Sequence, residues 1–380
     1  MKLLAVSHAC VIDVNQQLLV ELERHPDVEL TLIAPKRWRS DIRGDVEFRA
    51  LEALRADIRT LPVLLSGNVN AHAYRGLGSA LRGERFDVAY VDEEPYSLAA
   101  FQLLRLKPRL GARLLVHMKQ NTYRRYPFPF CWMEHQVLRR SECVAAATAD
   151  GREVLRRKGR RGRVPLIPYA VNPALFRRHD CAALKAEWGL EQFVIGYVGR
   201  LTPEKGVPDL MGALERLWAD ATLDFQALFV GSGPLEGEVR AFAHRCGPGK
   251  VIVRSAVPHD GVPQTMSCID LLVLPSRTTP RWREQFGRVM VEALCCGVPV
   301  VGSDSGEIPV LLRRTGGGLI FREGDVENLA HTLRRARQDQ DRLRAETTQA
   351  RARIEAAYSY RVVGEKLYTI CRELARAPLG

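Results

Sequence analysis

The stretch "RWREQFGRVMVEALCCGVPVVGSDSGEIP" (residues 281–309) contains one helix–strand unit and the start of another helix. Apolar residues recur with helical spacing after Glu284, and Gly297 follows them as a C-terminal cap, which predicts an amphipathic helix that begins at Glu284. The valine-rich run 298–303 predicts a buried strand, and a further helix opens near Gly306. Buried strands that alternate with helices are typical of parallel α/β sheets.

Two glutamates of this stretch lie eight positions apart, Glu284 and Glu292. Glu284 stands at the predicted helix start, where the positive end of the helix dipole favours a carboxylate. Glu292 lies roughly 12 Å further along the axis, in an apolar stretch where an unpaired carboxylate is costly. A helix cap and a surface acid are the simple alternative. The pair together with the loop that follows favours an extended ligand with hydroxyl groups at both ends.

The same rhythm of apolar runs and helical patterns extends through the rest of the chain. Short continuous runs of Val, Ile and Leu separated by helices predict parallel sheets covered on both faces, with ligands beyond the carboxyl ends of the strands. The fold class is therefore α/β, with two doubly wound, Rossmann-like domains. The predicted strands are 2–6, 29–35, 86–91, 113–117 and 143–148 in the first half and 193–199, 225–231, 250–254, 270–275, 298–303 and 318–321 in the second.

An arginine- and proline-rich segment at 152–176 interrupts this rhythm. We therefore predict two domains, 1–168 and 169–355, that are joined by a hinge. Residues 356–380 contain an amphipathic helical pattern. We expect this last helix to cross back and pack on the first domain.

The composition is that of a soluble globular protein, with 46% hydrophobic and 26% charged residues. The formal net charge is +12, from 56 Lys and Arg against 44 Asp and Glu. This surplus favours anionic partners such as nucleotide phosphates, nucleic acid or an anionic membrane, and charge alone does not choose among them.

Neither a disulfide framework nor a membrane span is predicted. The nine cysteines are scattered and form no C-x-x-C pair, which favours reduced, buried thiols in a cytoplasmic protein. The apolar run at the N-terminus is too short for a membrane span and is interrupted by polar residues.

Cations and glycines mark further strand ends of the second half. Arg200 directly follows a predicted strand, and Lys205 comes five residues later. A forked guanidinium and a compact ammonium at one strand end suit phosphate oxygens, although two solvated loop cations give the same pattern. The loop with Gly231 and Gly233 follows the next strand and lacks the G-x-G-x-x-G spacing of a dinucleotide site.

Five motifs in order resemble the retaining glycosyltransferases of the GT-B fold, family 4 type. They are "GRLTPEKG" (199–206), "VGSGP" (230–234), "LLVLPS" (271–276), the E-x(7)-E arrangement of "EQFGRVMVE" (284–292) and "GVPVVGSDSGEIP" (297–309). The resemblance is strong across about 190–325, and "YSYRVVGEKL" near the C-terminus is similar to the crossover helix of the family. It implies two domains that face a central cleft, with the donor held by residues 169–355 and the acceptor by residues 1–168.

The resemblance also implies roles for individual residues of the donor domain. Arg200 and Lys205 would neutralise the donor diphosphate, Glu284 would hold sugar hydroxyls and Glu292 would bind the ribose. The other residues placed on the donor side are Gly199, Gly231, Gly233, Phe286, Gly287, Gly306 and Glu307.

In the first domain the resemblance implies acceptor contacts. His117 matches the histidine of the family near the reacting centre, and a histidine satisfied at a strand end is its alternative. His8 lies where the family has a glycine-rich loop, which is missing here, and Asn15 is placed as its substitute on the acceptor side. "VDEEP" (91–95) is interpreted as a loop of the cleft and not as a metal-binding D-x-D.

The implied activity is transfer of a sugar, with retention, from a UDP- or GDP-sugar to a hydroxyl of a glycan, a lipid-linked molecule or a small molecule. We expect no cofactor and no metal, because cations and helix N–H groups would stabilise the leaving phosphate.

Two other functions are weighed against transfer. A sugar-nucleotide epimerase on the same scaffold needs an acid/base pair, which we cannot place. A basic module that binds nucleic acid or a membrane is the second, because "YRRYPFPFCWMEHQVLRR" (123–140) interleaves arginine with aromatic residues, as base stacking or membrane docking requires. A packed helix with a solvated face gives the same pattern. We expect a peripheral membrane contact to be compatible with transfer, and no nucleic-acid partner.

Overall fold

The chain folds into two units, each built around a six-stranded parallel sheet. The computed structural model describes residues 1–40, 44–219 and 223–377. The N-terminal unit comprises Met1–Ala170 together with Tyr360–Gly380, and the C-terminal unit comprises Val171–Ser359.

The sheet of the N-terminal unit has the order β10-β9-β8-β1-β2-β5, and all neighbouring strands are parallel. Apart from the edge strand β5, its strands are almost continuously buried because helices cover both faces, as a crossover topology requires. Two short antiparallel pairs, β3-β4 and β6-β7, accompany it. The strands are β1 (Lys2–Val6), β2 (Glu29–Pro35), β3 (Arg37–Ser40), β4 (Gly44–Glu47), β5 (Asp57–Leu61), β6 (Val63–Leu64), β7 (Ala73–Tyr74), β8 (Val88–Val91), β9 (Arg113–Met118) and β10 (Cys143–Ala146).

In the part of the N-terminal unit that the structure describes, the α-helices are α1 (Gln17–Glu23), α2 (Leu77–Ala80), α3 (Leu98–Leu110), α4 (Phe130–Arg140), α5 (Ala149–Arg157) and α14 (Tyr360–Arg376). The last of these packs on α1, as predicted. At Gly364 the approach is so close that an added Cβ would lie 2.5 Å from Cβ of Glu21. The Tyr368 ring stacks on His25 with 3.5 Å between ring centroids. Residues 378–380 of the predicted crossover segment lie outside the described residues.

The sheet of the C-terminal unit has the order β13-β12-β11-β14-β15-β16 and is also parallel throughout. Strand order reverses between β11 and β14, which is the point where an open α/β sheet leaves a crevice at its carboxyl edge. The strands are β11 (Phe193–Val198), β12 (Phe225–Val230), β13 (Val251–Arg254), β14 (Leu271–Leu274), β15 (Val300–Ser303) and β16 (Gly318–Phe321). The helices are α6 (Ala182–Trp188), α7 (Val207–Ala219), α8 (Glu236–Cys246), α9 (Val262–Ser267), α10 (Arg288–Cys295), α11 (Ile308–Thr315), α12 (Val326–Gln338) and α13 (Gln340–Tyr358).

All eleven predicted strands are present, but the helix predicted from Glu284 begins four residues later, at Arg288. Gly287 precedes it with a left-handed φ of +71°, which stops the helix from continuing toward the N-terminus. The predicted C-cap is confirmed, since Gly297 has φ +74° just beyond α10. Glu284 is therefore held by the loop that precedes α10 and not by the helix itself.

All nine cysteines are free thiols, and six of them are buried. The other three differ from the predicted burial of the thiols, since Cys131 is exposed and Cys181 and Cys246 are partly exposed. Among residues 1–40, 44–219 and 223–377, none of the helices combines the length and the apolar character that crossing a membrane requires.

Candidate functional site

A buried ion pair lies at the carboxyl edge of the C-terminal sheet. Nζ of Lys205 is 2.7 Å from Oε2 of Glu284, and the hydroxyl of Ser276 donates to the same oxygen at 2.6 Å. The Lys205 ammonium also lies 4.9 Å from the centroid of the Trp282 ring, at a distance typical of a cation–π contact. Glu284 is only 6% exposed, so these partners replace the water that its carboxylate loses.

Two glycines allow the loops of this edge to meet. An added Cβ at Gly306 would lie 2.0 Å from the carbonyl oxygen of Glu284, and one at Gly206 would lie 1.7 Å from that of Pro275. Both residues have left-handed φ values, +56° and +69°, which glycine adopts without strain. The loop after β15 is thus packed directly on the backbone of Glu284.

The glycines after β11 and β12 pack against each other in the same way. A Cβ at Gly231 would lie 1.8 Å from the carbonyl oxygen of Gly199, and one at Gly233 would lie 2.5 Å from that of Leu201. Close packing of the backbone therefore explains why glycine occupies these positions. The predicted contact of each glycine with the donor stays a prediction.

Arg200 is the more exposed of the two predicted phosphate ligands. Its guanidinium lies 3.8 Å from Glu204, with 43% of the side chain exposed. Its backbone is fixed from below, because the hydroxyl of Tyr197 donates to the Arg200 carbonyl oxygen at 2.5 Å. Arg200 and Lys205 leave the same strand end, as predicted.

Glu292 lies on α10 and is 6% exposed. Burial raises the pKa of its carboxyl to about 7, against the lowering influence of Arg288. A buried acceptor of this kind is suited to the hydroxyl groups of a ligand.

Phe286, Gly287 and Glu307 complete the predicted donor set. The Phe286 ring is buried and packs edge-on against Tyr358 with 5.5 Å between centroids, so its side chain contributes to packing. Gly287 caps the start of α10. Glu307 is 7% exposed, and burial raises its pKa against the influence of Arg314 and Arg283. Its Oε2 atom is buried with no hydrogen-bond partner among the described residues.

His117 lies in the N-terminal unit and both of its ring nitrogens are engaged there. Nδ1 accepts a hydrogen bond from the Tyr90 hydroxyl at 2.8 Å, and Nε2 donates to the carbonyl oxygen of Ile167 at 2.9 Å. Burial lowers its pKa to about 4, although Asp92 opposes this shift. This geometry favours the alternative of a satisfied strand histidine, and the catalytic role of His117 stays a prediction.

The other two residues placed on the acceptor side follow β1. The Asn15 amide donates to the carbonyl oxygen of Ala9 at 2.8 Å and so closes the local turn. The His8 ring is 20% exposed, and its Nδ1 lies 2.6 Å from Oε2 of Glu93. Their acceptor roles stay predictions.

The sequence reasoning missed two members of the site, Ser276 and Trp282. Ser276 is the last residue of "LLVLPS", directly after β14, and its place at the carboxyl end of a strand was the available signal. Trp282 lies two residues before Glu284, and no pattern in the sequence indicates that its ring covers Lys205. The structure thus brings together groups from the ends of β11, β14 and β15, which are adjacent strands.

Comparison with known families matches both units. A family model described as "Glycosyl transferases group 1" matches residues 182–354, and one described as "Glycosyl transferase 4-like domain" matches residues 13–170. The C-terminal unit therefore matches the glycosyl transferases group 1 family, and the N-terminal unit matches the glycosyl transferase 4-like domain. The first match includes Lys205, Glu284 and Gly306, and the second includes His117.

The curated relatives of the chain are named as glycosyltransferases. The 2-deoxystreptamine glucosyltransferase of Streptomyces kanamyceticus is 31% identical over 237 residues, which are 60% of this chain and 60% of that protein. A GDP-mannose-dependent monoacylated alpha-(1-6)-phosphatidylinositol monomannoside mannosyltransferase of Corynebacterium glutamicum is 32% identical over 185 residues, which are 48% of each protein. The chain therefore spans less than two thirds of the length of these relatives.

Solved structures share the fold at low identity. Sucrose-phosphate synthase from Thermosynechococcus elongatus has a TM-score of 0.76 at 18% identity and covers 98% of this chain and 99% of its own. Alr3699/HepE of Anabaena, in complex with UDP, has a TM-score of 0.75 at 18% identity, with 98% and 100% covered. This likeness confirms the predicted GT-B fold.

Proposed function

We propose that the chain is a retaining glycosyltransferase that moves a sugar from a nucleoside diphosphate sugar to a hydroxyl acceptor. The observation that carries this proposal is the meeting of Lys205, Glu284 and Gly306 at the ends of three adjacent strands. A cation, a carboxylate and a close-packed glycine loop suit a ligand that combines phosphate with hydroxyl groups.

The diphosphate is assigned to Lys205 and Arg200. A lysine ammonium has three N–H donors, and the Glu284 carboxylate and the Trp282 ring account for two directions around Lys205. The remaining direction is available to a phosphate oxygen. Arg200 supplies a second, more exposed cation at the same strand end. As the bond to the sugar breaks, both cations stabilise the charge that grows on the departing phosphate.

The two glutamates are assigned to the two ends of the donor. Glu284 holds hydroxyls of the sugar beside the phosphate cations, and Glu292 accepts hydrogen bonds from the ribose. The acceptor oxygen attacks the anomeric carbon on the face that the diphosphate leaves, and a phosphate oxygen takes the acceptor proton. In this scheme no histidine acts as a base, which is compatible with the engaged nitrogens of His117.

The donor class is supported by relatives and structural neighbours. The name of the Corynebacterium relative specifies GDP-mannose, and the Anabaena protein has been solved with UDP and with UDP-glucose. We therefore propose a UDP- or GDP-sugar as donor and a carbohydrate, lipid-linked or small hydroxyl compound as acceptor.

A panel of UDP-, GDP- and ADP-sugars tests the proposal by thermal shift and by slow donor hydrolysis. One donor should raise the melting temperature and release its nucleoside diphosphate, and Lys205→Ala should lose both effects. Lys250→Ala is the matched control, because Lys250 also lies over a tryptophan ring, that of Trp218, but precedes β13 at the opposite edge of the sheet. A response to none of the donors contradicts the proposal. An epimerised sugar in place of released diphosphate would favour the epimerase alternative.

We also propose that the N-terminal unit contacts an anionic membrane through the segment 123–140. Its α4 helix is a packed helix, yet Phe128 is 78% exposed and Trp132 is 46% exposed. The exposed Arg124 and Arg125 shortly precede this aromatic pair in sequence. Aromatic side chains beside arginines suit the interface of a membrane with anionic headgroups.

Sedimentation with liposomes tests this contact. The protein should bind vesicles with anionic lipid more than neutral ones, and Phe128→Ser should weaken this binding. Leu64→Ser is the control, because Leu64 is 54% exposed in the same unit outside the segment. The proposal would be contradicted if 0.5 M salt removed the binding completely and Phe128→Ser left it unchanged. Such binding would depend on charge alone and not on the aromatic side chains.

A further inference from the structure

We propose that His8, His72 and Glu93 bind one divalent metal ion of the zinc type in the N-terminal unit. One ring nitrogen of His8, one ring nitrogen of His72 and one carboxylate oxygen of Glu93 all lie within 4.8 Å of one another. Two imidazole nitrogens and one carboxylate oxygen form a three-ligand set that zinc adopts in proteins, with a fourth position left for water or another ligand. The sequence did not predict this site, because the loop that contains Glu93 was interpreted as a loop of the cleft that binds no metal.

The fold places these three residues together. Val6 of β1 pairs with Val91 of β8, and His8 and Glu93 each follow two residues beyond this pair. They therefore leave the same edge of the sheet on adjacent strands. His72 immediately precedes β7 (Ala73–Tyr74) and enters from the side.

His72 is the observation that points to a ligand. Its side chain is fully buried, and its Nδ1 lies 3.2 Å and 3.1 Å from the carbonyl oxygens of Asn68 and Val69. These carbonyls fix the proton on Nδ1. Nε2 has no hydrogen-bond partner among the described residues and lies 3.4 Å from Oε2 of Glu93. Nε2 and the carboxylate oxygen thus face each other across a gap, as two ligands of one cation do.

The hydrogen bonds around His72 and Glu93 are of the kind that orients metal ligands in proteins. A metal-binding histidine usually donates its second N–H to a carbonyl, and a ligating carboxylate is usually hydrogen-bonded as well. His72 satisfies the first condition. Glu93 satisfies the second, because its Oε1 accepts from the His8 backbone N–H at 2.7 Å and from the Tyr74 hydroxyl at 3.1 Å. Its Oε2 is the oxygen that faces both histidines.

The distances of the two histidines from Glu93 require a small movement of His8. Ligand atoms around tetrahedral zinc are about 3.4 Å apart for bonds of about 2.1 Å, which the pair of His72 and Glu93 matches at 3.4 Å. The pair of His8 and Glu93 is closer, at 2.6 Å, so the His8 ring must move outward by about 0.8 Å to admit the ion. This ring is 20% exposed and packs against Trp38 at 4.7 Å between centroids.

Metal titration of the full-length protein tests the inference. After dialysis against a chelator, calorimetry with ZnCl2 should show one equivalent bound, and CoCl2 should give the visible absorption of a tetrahedral site. His72→Asn should weaken zinc binding by at least about 100-fold and Tyr74→Phe by about tenfold. His25→Asn should leave binding unchanged. His25 is the matched control, because its Nε2 lies 3.3 Å from Glu365 in the same unit without a second histidine in the pair.

The absence of stoichiometric binding to the wild-type protein would overturn the inference. Equal zinc affinity of wild type and a folded His72→Asn protein would overturn it as well. If His72→Asn does not fold, X-ray absorption of the wild-type zinc complex decides. Two imidazoles and one oxygen ligand at about 2.0–2.1 Å from the zinc support the site. Sulfur ligands would contradict it, because they would show that the zinc is bound by some of the nine free cysteines instead.

Discussion

At the scale of the residue, the protonation of Glu292 links the stability of the protein to pH. A glutamate carboxyl group ordinarily has a pKa of 4.5, and burial in the folded protein raises the pKa of Glu292 to about 7. The folded state therefore favours the protonated form. The stability that depends on this proton is complete below pH 4.5 and is lost as the pH rises through about 7.

We predict that Glu292→Gln removes this pH-dependent loss of stability. At alkaline pH, the free energy of unfolding of the variant should therefore exceed the value expected with an ionised Glu292 by up to about 3 kcal/mol. The measurement is the free energy of unfolding in urea between pH 5 and pH 8.5, with Glu346→Gln, an intermediate-exposure glutamate of α13, as control. Parallel pH profiles for wild type and Glu292→Gln would contradict the assigned burial effect.

Donor binding should depend on the same proton with the opposite sign. Only the ionised carboxylate accepts hydrogen bonds from two ribose hydroxyls, so binding releases the proton. The affinity of wild type for its nucleoside diphosphate should rise about tenfold from pH 6 to pH 8. Calorimetry at these pH values measures this, and Glu292→Gln should show a weak, flat profile. A wild-type affinity that falls with pH would separate Glu292 from the donor.

A substitution at Gly306 tests the packing of the loop after β15 on Glu284. Its left-handed φ and the 2.0 Å distance from an added Cβ to the Glu284 carbonyl oxygen both oppose alanine. We expect Gly306→Ala to destabilise the protein by about 2–4 kcal/mol and to weaken donor binding. Gly249→Ala isolates the strain of φ alone, because Gly249 has φ +77° with nothing within 4 Å. Equal losses of stability in the two variants would show that the contact is unimportant.

At the scale of the element, α14 and α1 approach each other at a glycine. Alanine is better than glycine within a helix by about 1 kcal/mol, yet a Cβ at Gly364 would lie 2.5 Å from Cβ of Glu21. We predict that Gly364→Ala destabilises the N-terminal unit. Gly237→Ala in α8, where nothing lies within 4 Å, should be neutral or stabilising. Thermal unfolding compares the two, and a stabilised Gly364→Ala protein would contradict the packing.

The elements that were predicted are those with a strong local signal. The inner strands of both parallel sheets are buried on both faces, and their continuous apolar runs are visible in the sequence. β5 (Asp57–Leu61) was missed because the sequence "DIRTL" at the sheet edge lacks such a run. The short pairs β3-β4 and β6-β7 depend on partners elsewhere in the chain. The start of α10 was misplaced because the apolar spacing continues through Phe286, while Gly287 breaks the helix.

The site was predictable to a similar degree. Arg200, Lys205 and Glu284 follow strands, and strand ends of a parallel sheet share one edge. The ring of Trp282 over Lys205 and the contact of His8 with Glu93 depend on loop conformation and strand order. Neither is encoded by the spacing of residues along the chain.

At the scale of the whole molecule, each unit has its own core although α14 comes from the other end of the chain. Leu367 of α14 is fully buried in the N-terminal unit, and Leu333 of α12 is 1% exposed in the C-terminal unit. We predict that Leu367→Ala costs about 2–5 kcal/mol and speeds hydrogen exchange in β1, β2 and β8. Leu333→Ala should act on the strands of the C-terminal unit instead. Exchange that increases throughout both units in either variant would contradict separate cores.

The most direct test of the central claim is a crystal structure with the preferred nucleoside diphosphate bound. The account predicts a phosphate oxygen within about 3 Å of Nζ of Lys205, a second contact from Arg200, and the ribose hydroxyls on the Glu292 carboxylate. A diphosphate bound elsewhere, with the ion pair of Lys205 and Glu284 away from the ligand, would contradict it.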